Sequence, residues 1–267
     1  MRIRAVVAYD GTDYSGFQRQ ANAPTVQAAL EAALAQVTQE PLTVTAAGRT
    51  DAGVHAAGQV IAFDTAWRHE VDSLRRAMNA VLPADVAVLA LERAAADFHP
   101  RYDARSRRYR YTIYNAPVRL PMTRRQSLHV VTPLDLGAMQ QAAGVLIGEH
   151  DFATFGQPTQ GDVTVRRVLV AEWRSEVIGA GSALPRAGDG THGRDPRTGD
   201  GTWLHFDIEA NAFLYRMVRS IVGTLLQVGR GTLSVEGVEA ALAARDRDRA
   251  GPTAPPHGLC LVQVSYD

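Results

Sequence analysis

Lysine is absent from this chain of 267 residues, and cysteine occurs once, at Cys260. A single cysteine excludes an internal disulfide framework and any zinc site built from paired cysteines. Without lysine there is no G-x-x-x-x-G-K-[ST] phosphate loop. Neither H-E-x-x-H nor P-C-x-x-C occurs, which removes zincin and zinc-deaminase chemistry. No apolar run approaches the ~20 residues of a membrane-spanning helix, and the short apolar start, cut off by Asp10, falls below secretory-signal length. A cytoplasmic enzyme is the default expectation. Neither sign of charge is in excess, since 28 basic residues face 28 acidic ones, which argues against a general nucleic-acid binder. The 46% hydrophobic content is ordinary for a folded chain. A prior of ~150 residues per domain allows one large domain or two small ones.

What is present is arginine. Arg101, Arg105, Arg107, Arg108, Arg110, Arg119, Arg124 and Arg125 fall in one segment, interleaved with Tyr102, Tyr109, Tyr111 and Tyr114. Planar guanidiniums grip phosphates and aromatic rings stack on bases, so the segment suits a nucleic-acid surface. An edge strand guarded by charge explains the same pattern equally well.

Alternation marks a strand at Arg2–Tyr9, and short apolar runs are read as strands at Leu42–Ala46, Gln59–Phe63 and Val86–Leu91. Between them, Thr25 caps a helix carrying Val26, Leu30, Leu34 and Val37, and Asp72 caps another carrying Leu74, Met78 and Val81. The second half repeats the order. Strands are expected at 107–114, 168–177, 203–208 and 259–264, with helices after Asp135, over Ala212–Val228 and after Ser234. Two strand-helix-strand-strand-helix-strand units predict an α/β (α+β) fold. In it two ferredoxin-like βαββαβ halves, 1–100 and 101–267, join into one extended, mainly antiparallel sheet with a central cleft. Gly179–Gly201, rich in glycine with almost no large apolar side chain, is expected to be a mobile insertion.

Asp51 lies in the loop Gly48-Arg49-Thr50-Asp51-Ala52-Gly53-Val54-His55-Ala56, where glycines allow tight turning and close ligand approach. A presented carboxylate suits a nucleophile, but an Asp-Ala-Gly turn capped by its own side chain explains the loop as well. His55 has the same two readings: a substrate contact or a histidine bonded to backbone. Tyr109 and Tyr111 share one side of a strand, so Tyr109 is either a base-stacking ring or a core residue. Arg219, inside an apolar helix, needs a carboxylate partner. That partner makes it structural, or functional if it is Asp51.

At these residues the chain resembles the tRNA pseudouridine synthase A family. The resemblance is carried by Ala47–Ala56 and by Tyr9-Asp10-Gly11-Thr12-x-Tyr14-x-Gly16-Phe17-Gln18-x-Gln20. It is carried further by Arg108-Tyr109-Arg110-Tyr111, by Asn211-Ala212-Phe213 with Met217-Val218-Arg219-x-Ile221-Val222-Gly223, and by Pro255-x-x-Gly258-Leu259. The resemblance implies isomerisation of uridine to pseudouridine at positions 38, 39 and 40 of the tRNA anticodon stem-loop. Asp51 would be the nucleophile. Arg49 would help displace the nucleotide. Tyr109 would stack on the flipped base and take the C5 proton. Arg219 would hold Asp51 ionised, and Leu259 would pack the base's other face. Arg108, Arg110 and His55 are further candidate substrate contacts. A homodimer, with tRNA touching both subunits and no metal or organic cofactor, is also implied. Attack at C1′, attack at C6 and a step following C2′ deprotonation all stay open. Two departures stand out: the length of the Gly179–Gly201 insertion, and Gly156-Gln157-Pro158-Thr159-Gln160 where a Cys-Gln or Ser-bearing segment is expected. The rivals are a non-catalytic RNA-binding protein and a glycosidase, the latter lacking a partner acid at defined spacing.

Overall fold

The structure, a computed structural model, describes residues 1–158, 161–177 and 201–266. The expected insertion, with Arg186, Arg194 and Arg197, lies outside the described residues but for Gly201. So do Thr159 and Gln160.

The elements in chain order are β1 (Arg2–Tyr9), α1 (Val26–Thr38), β2 (Thr45–Ala46), β3 (His55–Asp64), α2 (Val71–Val81) and β4 (Val86–Arg93). There follow β5 (Ser106–Asn115), β6 (Leu128–Val130), α3 (Leu136–Gly144), β7 (Gly148–Asp151) and β8 (Val165–Val177). The chain ends with β9 (Thr202–Ala210), α4 (Met217–Gly229), α5 (Val235–Ala244) and β10 (Leu259–Ser265). Among the described residues, ten strands form one open sheet in the order β4-β1-β3-β10-β5-β9-β8-β7, with β2 on β3 and β6 on β5. Pairing is antiparallel except for β10 with β3 and β5 with β6.

Period-two burial orients the sheet. Ile3, Ala5, Val7 and Tyr9 of β1 are buried while Arg2, Arg4, Val6 and Ala8 are half-buried. On β5 the buried set includes Tyr109, Tyr111 and Ile113, and the alternate set is Arg108, Arg110 and Thr112. The β3–β10 contact is a short parallel seam, Cys260 beside His55 and Leu261 beside Ala56. Leu261 in turn faces Tyr109, and Leu259 faces Tyr111, across β10 and β5. The seam therefore sets the Asp51 loop, which runs directly into β3, beside the start of β10 and the middle of β5.

Four expectations change. The strand expected over Leu42–Ala46 shrinks to Thr45–Ala46, because side chains of α1 take the ladder bonds of Val44. Glu31 accepts from its N–H at 3.0 Å and Gln27 donates to its carbonyl at 3.1 Å. Asp72 does not cap α2. It sits in the first turn, paired with Arg75 and Arg76, and Glu70 precedes the helix without a side-chain cap. The helix expected from Ala212 begins only at Met217. Arg216 takes a left-handed φ of 62°, and Tyr215 donates its backbone N–H to Gln157. The Arg/Tyr strand is not an edge: β5 pairs with β10 on one side and β9 on the other.

Candidate active site

The Asp51 loop is clamped by the glycine-bearing segment that follows β1. Phe17 donates its backbone N–H to the Thr50 carbonyl at 3.1 Å, and Gly53 donates to Tyr14 at 3.2 Å. Tyr9, at the end of β1, bonds the Thr50 hydroxyl at 2.8 Å, and Gln59 of β3 donates to the Gly48 carbonyl at 2.8 Å. The packing has no room for side chains at two glycines. A Cβ on Gly11 would meet the Val54 carbonyl oxygen at 2.0 Å, and one on Gly16, at φ +97°, would meet that of Thr50 at 2.8 Å. A Cβ on Gly48 would meet nothing within 4 Å, so the loop is open on the side facing the cleft.

Arg219 rises from the first turn of α4. Its Nη1 donates to Asp51 Oδ2 at 3.0 Å and its Nε to the Ala254 carbonyl at 2.8 Å. The Asp51 side chain keeps 20% of its surface exposed. The carboxylate is thus fixed by one guanidinium and still reachable. Arg49, beside it, is exposed and makes no hydrogen bond or ion pair among the described residues.

These groups border one cleft of about 1020 Å³, which Tyr109, Phe213 and Leu259 also line. Six arginines line it (Arg49, Arg101, Arg107, Arg166, Arg216 and Arg219), and Asp51 is the one acid among its lining residues. Such a cleft concentrates polyanions. Tyr109 is 8% exposed and meets Phe213 edge-on, with ring centroids 5.1 Å apart. Burial, and then Tyr9 and Asp51 nearby, push its phenol far above the ordinary tyrosine range, so the hydroxyl keeps its proton. No hydrogen bond to that hydroxyl occurs among the described residues.

The family model described as tRNA pseudouridine synthase matches residues 5–103 and 142–267. A tRNA pseudouridine synthase A of Moorella thermoacetica is 44% identical over 99% of this chain and 99% of its own. Those of Chloroflexus aurantiacus (strain J-10-fl) and Brevibacillus brevis are also 44% identical over 99% of this chain, covering 88% and 99% of theirs. The chain belongs to the tRNA pseudouridine synthase A family. A solved dye-decolorizing protein from V. cholerae superposes with a TM-score of 0.20 at 13% identity over 88% of this chain and 87% of that one. That likeness bears no argument about the fold.

Within this synthase, Asp51, Arg49, Tyr109, Arg219 and Leu259 meet at one cleft, as the motifs lead one to expect. The structure does not bring Arg108, Arg110 or His55 there. Arg108 and Arg110 stand on the alternate side of β5. Arg110 forks onto the fully buried Asp207 at 3.0 and 2.9 Å, and Arg108 reaches Glu172 at 3.4 Å. His55 is the first residue of β3, buried, with Nδ1 3.1 Å from the Gly11 N–H and Nε2 2.7 Å from the Arg125 carbonyl. Of its two readings, the backbone-bonded one matches this geometry. Sequence reasoning passed over Phe213, Arg166 and Arg216 as cleft residues. Phe213 sat inside a quoted motif without a role, and Arg166 and Arg216 carried no local signal. Among the described residues no three His, Cys, Asp or Glu side chains gather as metal ligands, and no helix is long and apolar enough to cross a membrane.

Proposed function

We propose that Asp51 is the nucleophile with which this synthase isomerises uridine to pseudouridine in the anticodon region of tRNA, at positions 38, 39 and 40. One observation carries the assignment: among the described residues, a single reachable carboxylate, held at 3.0 Å by Arg219, in a cleft whose other strongly charged lining side chains are all arginine. The reaction breaks N1–C1′, forms C5–C1′ and moves the C5 proton, with no atom gained or lost. The uridine must first leave the helical stack, at a cost of a few kcal/mol. Exposed Arg49 enters the stem and helps displace the nucleotide. Tyr109 and Leu259 hold the detached uracil while it turns, and stacking of this kind contributes ~1–3 kcal/mol per base. The Arg219 guanidinium holds the Asp51 carboxylate in place through a charge-assisted hydrogen bond of 3.0 Å. Tyr109 is also the group nearest the task of receiving the C5 proton. Its phenol is protonated, so it takes the C5 proton only while giving up its own, and that proton ends on N1, the nitrogen freed when N1–C1′ breaks.

The strand orders β4-β1-β3-β2 and β10-β5-β9-β8 support two ferredoxin-like halves, 1–100 and 101–267, sharing the cleft. Action as a homodimer in the cytoplasm belongs to the same reading. The test is incubation of unmodified tRNA with wild type and Asp51→Asn, followed by mapping of pseudouridine. Wild type is expected to modify the anticodon stem-loop and the variant not to. A wild type that binds tRNA without making pseudouridine leaves only an RNA-binding protein, and an active Asp51→Asn removes the nucleophile assignment.

A further inference from the structure

We propose that Arg107 is a positioning residue that couples the Asp51 loop to the RNA-facing loops of the cleft. The inference rests on the functional reading above. Arg107 opens the alternation of β5 and is 8% exposed. A buried guanidinium ordinarily finds a carboxylate. Among the described residues Arg107 has none, and its donors go to four backbone carbonyls instead. Nη2 reaches Ala47 at 3.0 Å and also Arg101, while Nη1 reaches Ala104 at 3.1 Å and Asn211 at 2.9 Å.

These carbonyls come from three separate stretches of chain. Ala47 lies four residues before Asp51. Arg101 and Ala104 lie between β4 and β5, next to Tyr102, which is 71% exposed and lines the cleft. Asn211 heads the stretch carrying Phe213 and Arg216, and its own side chain accepts from the N–H groups of Arg167 and Ala212. One planar fork therefore fixes the nucleophile loop relative to both walls that RNA would touch. Among the described residues Gln59 also reaches the loop's backbone, at Gly48, but it comes from β3 and bonds neither wall, and Arg219 holds the Asp51 carboxylate rather than the backbone. Lysine cannot replace the fork. Its three N–H bonds radiate from one nitrogen, whereas arginine spreads five across a plane.

The test uses R107K and R107M as full chains with unmodified tRNA. With far-UV circular dichroism unchanged, kcat is expected to fall about 10- to 100-fold, as misplacement of a reacting group does, with KM for tRNA within about twofold of wild type. Unchanged kcat in R107K, or equal losses in kcat and tRNA affinity, overturns the proposal. If neither variant folds, the guanidinium N–H signals of Arg107 in wild type are followed by NMR. They are expected to shift when anticodon stem-loop RNA is added, and signals that stay put overturn the coupling. Wild-type turnover separates the two readings: an inactive wild type fails the function, whereas an active wild type beside an equally active R107K fails only the positioning.

Discussion

Arg219 Nη1 lies 3.0 Å from Asp51 Oδ2, joining residues 168 positions apart. Each side chain is mostly buried, 13% and 20% exposed, so neither is easily compensated by water. Arg219→Met is expected to lower stability by about 1–3 kcal/mol, the worth of charge-assisted hydrogen bonds, and turnover by more than tenfold. Asp51→Asn keeps the shape and is expected to lose more than about 10³-fold in turnover with tRNA affinity retained. Urea titration and single-turnover assays separate the two. Similar turnover losses in both variants contradict a distinction between nucleophile and countercharge.

Tyr109→Phe keeps the ring and removes the hydroxyl. If the ring stacks and the hydroxyl takes part in proton movement, turnover falls while the Kd for tRNA stays within about twofold, since stacking survives. Equal losses in turnover and affinity show that the side chain only binds.

Two groups of arginine are expected to behave oppositely. Arg49→Ala removes an exposed guanidinium with no partner among the described residues. Melting temperature is expected to hold while turnover drops and the salt dependence of tRNA binding flattens. Arg110→Ala leaves the fully buried Asp207 with only Arg108 Nε, 3.8 Å away, and a loss of about 1–3 kcal/mol is expected with catalysis per folded molecule unchanged. A folded Arg110→Ala with weakened tRNA binding restores that residue to the substrate surface.

Buried phenols make stability fall in alkali. Burial pushes Tyr9 up to about 12, and Tyr109 and Tyr111 are raised as well, against ~10 in an unfolded chain. Between those values the unfolded chain releases protons that the folded one keeps, so stability is intact below pH ~10 and lost as pH rises through the folded values. The rise at Tyr9, from the usual ~10 to about 12, corresponds to about 3 kcal/mol. Denaturant titrations from pH 8 to 12 are expected to show a steep decline, shallower in Tyr9→Phe. A flat profile refutes the burial account.

Glycine substitutions locate the clamp. Gly11→Ala forces a methyl to 2.0 Å from the Val54 carbonyl oxygen, and Gly16→Ala adds a strained positive φ. Each is expected to cost more than about 1 kcal/mol and to reduce activity through the displaced loop. Gly48→Ala meets open space and is expected to leave the melting temperature unchanged. Differential scanning calorimetry of the three variants decides, and a destabilised Gly48→Ala counts against the open loop.

Features held by neighbours in sequence were legible before the fold. Thr25, Asp135 and Ser234 accept hydrogen bonds from the first turns of α1, α3 and α5, because a cap reaches only three residues ahead. The alternation of β1 and β5 reads correctly for the same reason. What failed depended on distant partners. The capture of Val44 by α1 and the Gln157 bond that holds Tyr215 out of α4 leave no local trace. Period two separated Tyr109 from Arg108 and Arg110, yet only the order of strands showed which side carries the Asp51 cleft.

By itself, the sequence determined which chemistry is available. It offers a glycine-framed Asp51, arginine as the sole strong cation and motifs of one family, all properties of residue identity and short-range sterics. Tertiary structure alone decided who meets whom. The β3–β10 seam placed Asp51 by Tyr109 and Leu259, α4 brought Arg219 to the carboxylate, and burial turned Arg107 from one arginine among 28 into a four-carbonyl clamp. Those relations reach across the chain, 168 positions from Asp51 to Arg219 and further still from His55 to Cys260, and they arise from strand pairing and from the cost of leaving buried charge unpartnered, which no local pattern encodes.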